Sequence, residues 1–257
     1  QILKSLFESE YSYGNGLKKG LINIISNKKK SKINFNLTKE KLIFELNDIM
    51  KESNFNYKGQ VYLKPFYLDL SGKIEKIDMK YFANTNSVLL QFLKTEVFNN
   101  KNLNLMSTIK AEKVLPYHKL INLFVNFKIK EGLIDIDDTK FSWYDSADFE
   151  ISNSLVYLND NNLILDGIMK IKIKDYNEIY KFLLTPKNFR KEIKTIDFSF
   201  TYVFSEKAIM LSDIMIDGKY NQKVNKRLNN IYLRDNDLQN KIYFKNIMND
   251  VIEAYAG

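Results

Sequence analysis

The sequence predicts a mainly β protein: an elongated, twisted antiparallel sheet forming an open groove, with a few short amphipathic helices. Three observations carry that prediction. Large apolar residues occupy every second position at Ile196, Phe198, Phe200, Tyr202 and Phe204, with Asp197, Ser199 and Thr201 between them. A strand turns successive side chains to opposite faces, so this run has one apolar and one polar face. The same rhythm returns at Leu163, Leu165, Met169, Ile171 and Ile173, at Phe149, Ile151, Leu155 and Tyr157, and at Phe127 and Ile129. Between such runs lie short polar turns built from Asn, Asp and Lys, as at 159–162 and 235–237. Asn and Asp tolerate left-handed backbone, so a chain with only nine Gly and three Pro can still turn often.

Taken in order, 16–25, 32–37 and 41–49 read as a first meander, followed by 57–70 and 73–79. Inside 57–70 the apolar phase slips from Val61 and Leu63 to Phe66, Leu68 and Leu70. Pro65 lies at the slip and cannot donate to a ladder, which predicts a β-bulge or an edge strand. A helix is predicted over 87–98, with Leu89, Phe92, Leu93 and Val97 inward. Strand 103–112 stands alone. Strands 123–130, 133–138 and 148–158 form a third group, completed by 163–174, 195–204 and 208–217. Between 163–174 and 195–204, Asp175 and Glu178 resemble a capping box ahead of a stripe of Tyr176, Ile179, Tyr180 and Leu183, ended by Pro186. A last helix is predicted over 238–255. No linker-like segment interrupts the chain, so 1–257 reads as a single module. The chain opens on Gln1 rather than Met, and 1–7 reads like the middle of a longer sequence, which suggests a fragment of a longer protein.

Composition narrows the function classes. With 257 residues, 45% hydrophobic and 14% aromatic, the chain has ample material for a core. The net charge of +8 comes from dispersed lysines in an Asn- and Ile-rich background, as an AT-rich coding bias would give. Such a field attracts anionic lipid headgroups. The only arginines are Arg190, Arg227 and Arg234, and Arg is the preferred bidentate reader of phosphates and bases, so nucleic acid is not expected as a partner. Absence of cysteine removes disulfides, thiolate nucleophiles and Cys-ligated metals together. The apolar stretch at 120–125 falls far short of the roughly 20 residues of a membrane-spanning helix.

The chain offers no constellation for catalysis, and it reads as a non-enzyme without cofactor or metal. His118 is the only histidine and lacks a partner nucleophile in sequence. Asp135, Asp137 and Asp138 lack the glycine and bidentate Glu of a calcium loop and read as a turn with a wet face. Gly14, Gly16 and Gly20 miss the dinucleotide spacing, because Lys19 stands where the third glycine belongs. Asn36 and Thr38 match a glycosylation sequon, a short pattern in an Asn-rich chain. Trp143 with Phe141 and Tyr144 reads as core aromatics at strand spacing rather than a carbohydrate platform.

The run with Gly59, Val61, Pro65, Phe66 and Leu68 resembles the x-G-x-I-x-x-x-P-F-x-L strand of AsmA-like proteins. A helix and a strand follow it over 87–105, as in that family. Segments 130–136, 147–151 and 163–167, with the helix beginning at Asp175, resemble the family's C-terminal repeats. The resemblance is best from about 55 to 184 and rests on loose β patterns without catalytic residues. It implies a periplasmic protein of Gram-negative bacteria, held to the inner membrane by a segment outside this chain. It also implies a β-groove like that of bridge-like lipid-transfer proteins, working in phospholipid transport and outer-membrane assembly. Expected partners are phospholipids, the inner and outer membrane surfaces, and envelope proteins.

Two readings of the sheet follow. In the first, acyl chains cover the apolar face, lined by Leu163, Leu165, Met169, Ile171, Ile173, Ile196, Phe198, Phe200, Tyr202, Phe204, Phe149, Ile151, Val61 and Leu63. In the alternative, helices cover it, giving a closed α+β scaffold that binds a protein partner. Period-two alternation describes both.

Overall fold

A computed structural model describes residues 5–14, 17–26, 29–48, 55–78, 88–95, 97–228 and 231–257. The chain is mainly β, and sixteen strands join in one sheet. The first six form a meander: β1 (Ser5–Gly14), β2 (Leu17–Ser26), β3 (Lys29–Leu37), β4 (Lys41–Asp48), β5 (Phe55–Leu63) and β6 (Phe66–Asp78). Helix α1 (Val88–Lys94) lies on the crossover to β7 (Asn104–Leu115), which pairs with β6 in parallel. Parallel neighbours need such a crossover, whereas the two-to-four-residue turns that join most other neighbouring strands suit antiparallel pairs. β6–β7 is the one parallel pair among the described strands, in a sheet that is otherwise antiparallel as expected.

Antiparallel pairing resumes through β8 (Leu120–Lys130), the short β9 (Leu133–Asp135), β10 (Lys140–Trp143), β11 (Ala147–Asn159) and β12 (Asn162–Ile173). After α2 (Tyr176–Leu183) come β13 (Thr195–Val203), β14 (Ala208–Ile216) and β15 (Lys219–Tyr220). Helix α3 (Gln222–Leu228), β16 (Tyr232–Arg234), α4 (Asp235–Gln239) and α5 (Lys241–Ala256) finish the chain, with β16 returning to pair with β14. β9 fits between β8 and β11 at one end of the sheet, and β10 does so at the other.

Local chemistry accounts for most boundaries. Asp175 caps α2, its Oδ1 accepting from the amides of Asn177 (2.9 Å) and Glu178 (3.1 Å), and Leu184 closes the helix at φ 61°. Asn240 Oδ1 accepts from the Ile242 and Tyr243 amides and splits the expected single C-terminal helix into α4 and α5. Pro65 sits in the hairpin turn between β5 and β6, so the phase slip there marks a chain reversal rather than a bulge or an edge. β6 then runs unbroken through Gly72, where two strands were expected. In α1 the buried residues are Leu90 and Leu93; the side chains of Leu89, Phe92 and Val97 lie outside the described set.

The register of β11 shifts between Ser152 and Leu155, with Asn153 at φ 51°. That bulge carries Leu155 and Tyr157 to the face opposite Phe149 and Ile151, breaking the even alternation read from sequence. Asp137 holds the bulge: its Oδ1 accepts from both the amide and the hydroxyl of Ser154, each at 2.7 Å, and its carbonyl accepts from Asn126 Nδ2 at 2.9 Å. The expected wet turn is therefore a structural clasp.

Three buried clusters lie along the sheet. The largest joins β14 and β16 to α2, α3 and α5 through Ile214, Leu233, Leu183, Val224 and Val251. A second packs Leu90 and Leu93 of α1 on Ile129, Ile134, Val156 and Leu163. The third gathers Ile77, Ala111, Val114 and Leu123.

Candidate functional site

Residues facing each other on neighbouring strands share a side of the sheet, so the registers trace rows across it. One row runs Leu37, Leu42, Val61, Leu68, Leu105, Ile129, Ile134, Val156, Leu165, Tyr202, Ile209 and Leu233, crossing twelve strands without a charged residue. A second runs Ile22, Ile33, Leu46, Tyr57, Gly72, Ile109 and Val125. Between them lies Phe35, Phe44, Gly59 and Leu70. On the reverse side the matching row reads Asn36, Ile43, Gln60, Asp69, Met106, Lys128 and Asp135. There Gln60 Nε2 donates to Asp69 Oδ2 at 3.2 Å. The described strands thus give the sheet one mainly apolar face, interrupted at Lys18 and Ser107, and one largely polar face.

Two mid-strand glycines of β5 and β6 belong to this apolar face. A Cβ on Gly59 would strike the ring of Phe44, and one on Gly72 the ring of Tyr57. Each ring occupies the space beside the glycine opposite it, where a side chain would otherwise stand.

Coverage of the face differs along the sheet. Over β7–β16 protein covers much of it: Leu163 and Ile129 are each 1% exposed beneath α1, and Ile173, Ile196 and Phe198 pack into the cluster under α2 and α5. Over β2–β5 the picture changes. Ile33, Phe35, Leu37, Leu42, Phe44, Leu46 and Val61 are only half-buried, and among the described residues these strands make substantial contacts only with their ladder neighbours. No described helix lies on them.

The residues picked from sequence fall on both sides of that divide. Leu165, Met169 and Ile171 face Tyr202, Phe198 and Ile196 directly, so the two alternating runs share one face with Leu163, Ile173, Phe200 and Phe204. Phe149 and Ile151 face Ile171 and Met169 on that side. Phe200 is buried with its ring against Gly167, Phe204 meets Tyr202 edge-on at 5.0 Å, and Phe149 stacks on Phe141 at 4.6 Å. These are packed under or beside protein. Val61 and Leu63 alone of the set lie on the open stretch, Leu63 being 43% exposed. The open residues of β3 and β4 were missed; the alternation Ile33, Phe35, Leu37 and Leu42, Phe44, Leu46 was the available signal.

Trp143, as expected, is a packing residue, edge-on to Phe182 at 4.7 Å. His118 is exposed on the β7–β8 turn. Gly14 and Gly20 lie on β1 and β2, and Gly16 lies outside the described residues. Beneath α2 and α5 a wholly apolar cavity of about 90 Å³ is lined by Ile173, Ile179, Ile196, Val251 and their neighbours. It is smaller than the ~150 Å³ cavity that admits benzene, so the covered half has no room there for an acyl chain.

Asp235 is an ionisable group within the covered half. Burial pushes the Asp235 carboxyl above the usual range, against the opposing pull of the Tyr202 hydroxyl, which donates to it at 3.4 Å, and of Lys207. Burial and that carboxylate push Tyr202 up in turn. Tyr117, on the β7–β8 turn, is raised by burial and by Asp235, while a hydrogen bond from Gln239 lowers it. Tyr117 thus lies close to Asp235 and Gln239 of α4. Elsewhere, burial pushes Tyr180 up to about 12, and its hydroxyl donates to the Lys191 carbonyl at 2.6 Å. Among the described residues no three His, Cys, Asp or Glu side chains converge as a metal site. No family model, curated protein or solved structure matches the chain.

Proposed function

We propose that this chain is a non-enzymatic lipid-carrying module of the AsmA-like kind, acting in the periplasm in phospholipid transport and outer-membrane assembly. The observation that supports the reading is the apolar face of β2–β5, continuous with the rows beyond it and left uncovered by described elements. A contiguous exposed apolar surface on a folded protein marks a binding surface. Acyl chains suit it because it is long and mostly aliphatic or aromatic, its polar groups being few, such as Lys18 and the Tyr57 hydroxyl. Each methylene moved from water onto it contributes about 0.8 kcal/mol, so ten give roughly 8 kcal/mol before the cost of association. Contacts of that kind hold a lipid without choosing sharply between headgroups, which stay wet at the open side. The closed-scaffold alternative fits the helix-covered strands from β7 onward, but offers no use for the bare face of β3 and β4.

The test is native mass spectrometry of the purified protein, with a photo-crosslinking residue in place of Phe44, Lys58 or Leu163. Phospholipid adducts and lipid crosslinks at Phe44, with none at Lys58 on the polar face or at buried Leu163, are expected. A lipid-free protein with no crosslink at Phe44 would overturn the proposal.

A further inference from the structure

The open apolar face runs out to one end of the sheet, and that end has its own character. Leu63 and Phe66 face each other at the β5–β6 hairpin tip on the apolar side, 43% and 40% exposed. Leu133, at the β8–β9 turn on the same end, is 62% exposed. Around them stand Lys39, Lys64, Lys101 and Lys130, all exposed and none in an ion pair among the described residues. Lys41 adds its ammonium over the Tyr62 ring at 4.7 Å. Only Glu40 and Glu131 oppose these five cations at the tips of these turns. Further along the same end the character is lost: the β11–β12 turn carries Asp160 and the β13–β14 turn Glu206 and Lys207, with no exposed large apolar side chain.

We infer that this rim docks on an anionic lipid bilayer, with Leu63, Phe66 and Leu133 entering the interface and the lysines meeting headgroup phosphates. Exposed apolar tips ringed by lysine match an interface that is greasy below and negatively charged above. The geometry adds a reason for this end in particular. Leu63 and Phe66 adjoin Val61 and Leu68 on the apolar face, so an acyl chain leaving the bilayer at the rim passes onto the sheet without crossing a polar barrier. This deepens the lipid-carrying reading and rests on it for its purpose, while docking itself is measured separately.

The experiment is flotation of the full chain with vesicles of phosphatidylcholine alone or of equal parts phosphatidylcholine and phosphatidylglycerol. Variants are Lys64→Glu with Lys101→Glu, Leu133→Asp, and a control reversal, Lys187→Glu with Lys219→Glu, at exposed positions elsewhere. A lysine near an anionic surface contributes about fivefold in affinity, so the rim reversal should weaken binding to mixed vesicles by more than about tenfold. Leu133→Asp should weaken it severalfold, the control should bind like the wild type, and added salt should weaken every protein that binds. Lipid content by native mass spectrometry should stay unchanged in all of them. Wild-type protein that ignores mixed vesicles, a rim reversal that binds normally, or a control that falls equally would each overturn the docking inference. Rim-dependent binding by a protein that carries no lipid would sustain docking and sink the lipid-carrying proposal instead.

Discussion

Asp137→Ala distinguishes a structural clasp from a solvated turn. The carboxylate takes two hydrogen bonds from Ser154, which is 7% exposed, and the Ser154 hydroxyl in turn accepts from the Ile136 amide at 2.8 Å. Removing it leaves the Ser154 amide without a partner at the β11 bulge and frees the hydroxyl to rotate away from Ile136. An unsatisfied buried donor costs about 1–3 kcal/mol, and bonds to an ionised group lie toward the upper end. Loss of roughly 2–4 kcal/mol is expected, a fall in melting temperature of about 5–15 °C for a chain of this size. Asp137→Asn keeps an acceptor oxygen and should lose about half as much. Thermal unfolding followed by near-ultraviolet circular dichroism measures both. A solvated turn would tolerate the change within about 0.5 kcal/mol. An Asp137→Ala protein that melts with the wild type would refute the clasp.

Asn225, 1% exposed, accepts from the Ile214 amide and donates to its carbonyl, both at 2.8 Å, standing in for a neighbouring strand along β14. Asn225→Ala should cost about 2–5 kcal/mol in chemical denaturation by orphaning both groups, and a loss below about 0.5 kcal/mol would show that they find other partners. Burial raises the Asp235 carboxyl, so between the ordinary carboxylate value and the raised one the folded protein holds a proton that the unfolded chain has released. Stability therefore falls as pH rises through that window, and Asp235→Asn should flatten the fall while melting no lower than wild type at neutral pH; a lower melting point there would contradict the sign. Bound phospholipid should slow amide exchange in β3–β5 and leave β12 and β13 unchanged, because only the former face is open to it. Uniform slowing across the sheet would mean that the lipid sits elsewhere.

The strands were legible wherever apolar alternation ran undisturbed, as in β12 and β13, whose shared face follows from period two and a direct antiparallel register. Legibility failed where one residue changed the phase. Pro65 turns the chain back, Asn153 flips Leu155 and Tyr157, and Gly72 looked like a break because its partner ring is on another strand. Helix α3 was missed although its signals are present, Asn221 Oδ1 capping the Val224 amide at 3.0 Å and Val224 and Leu228 falling four apart. Strand β1 escaped because Glu8, Ser9, Glu10 and Ser12 dilute its alternation. At the candidate site the apolar face was readable and its coverage was not. Leu42 and Leu163 sit in equally alternating strands, yet Leu163 lies under Leu90 and Leu93 of a helix about seventy residues away in sequence.

The β6–β7 junction explains why coverage changes where it does. A parallel pair obliges the chain to cross over one face of the sheet, and this crossover lies on the apolar side, where α1 seals Ile129, Ile134, Val156 and Leu163. From there on the face is core, with α2, α3 and α5 extending the seal toward the last strands. The first strands are held in register by ladder hydrogen bonds to this covered half rather than by a second layer of their own. An acyl chain lying on β3–β6 would therefore meet α1 as a wall on one side. The rim at Leu63 and Phe66 is open beside α1, the same place where lysines gather around exposed apolar tips. Coverage by α1 follows from that topological choice: the crossover places its described helix on the apolar face on the side toward β8, and no described helix lies on the side toward β3.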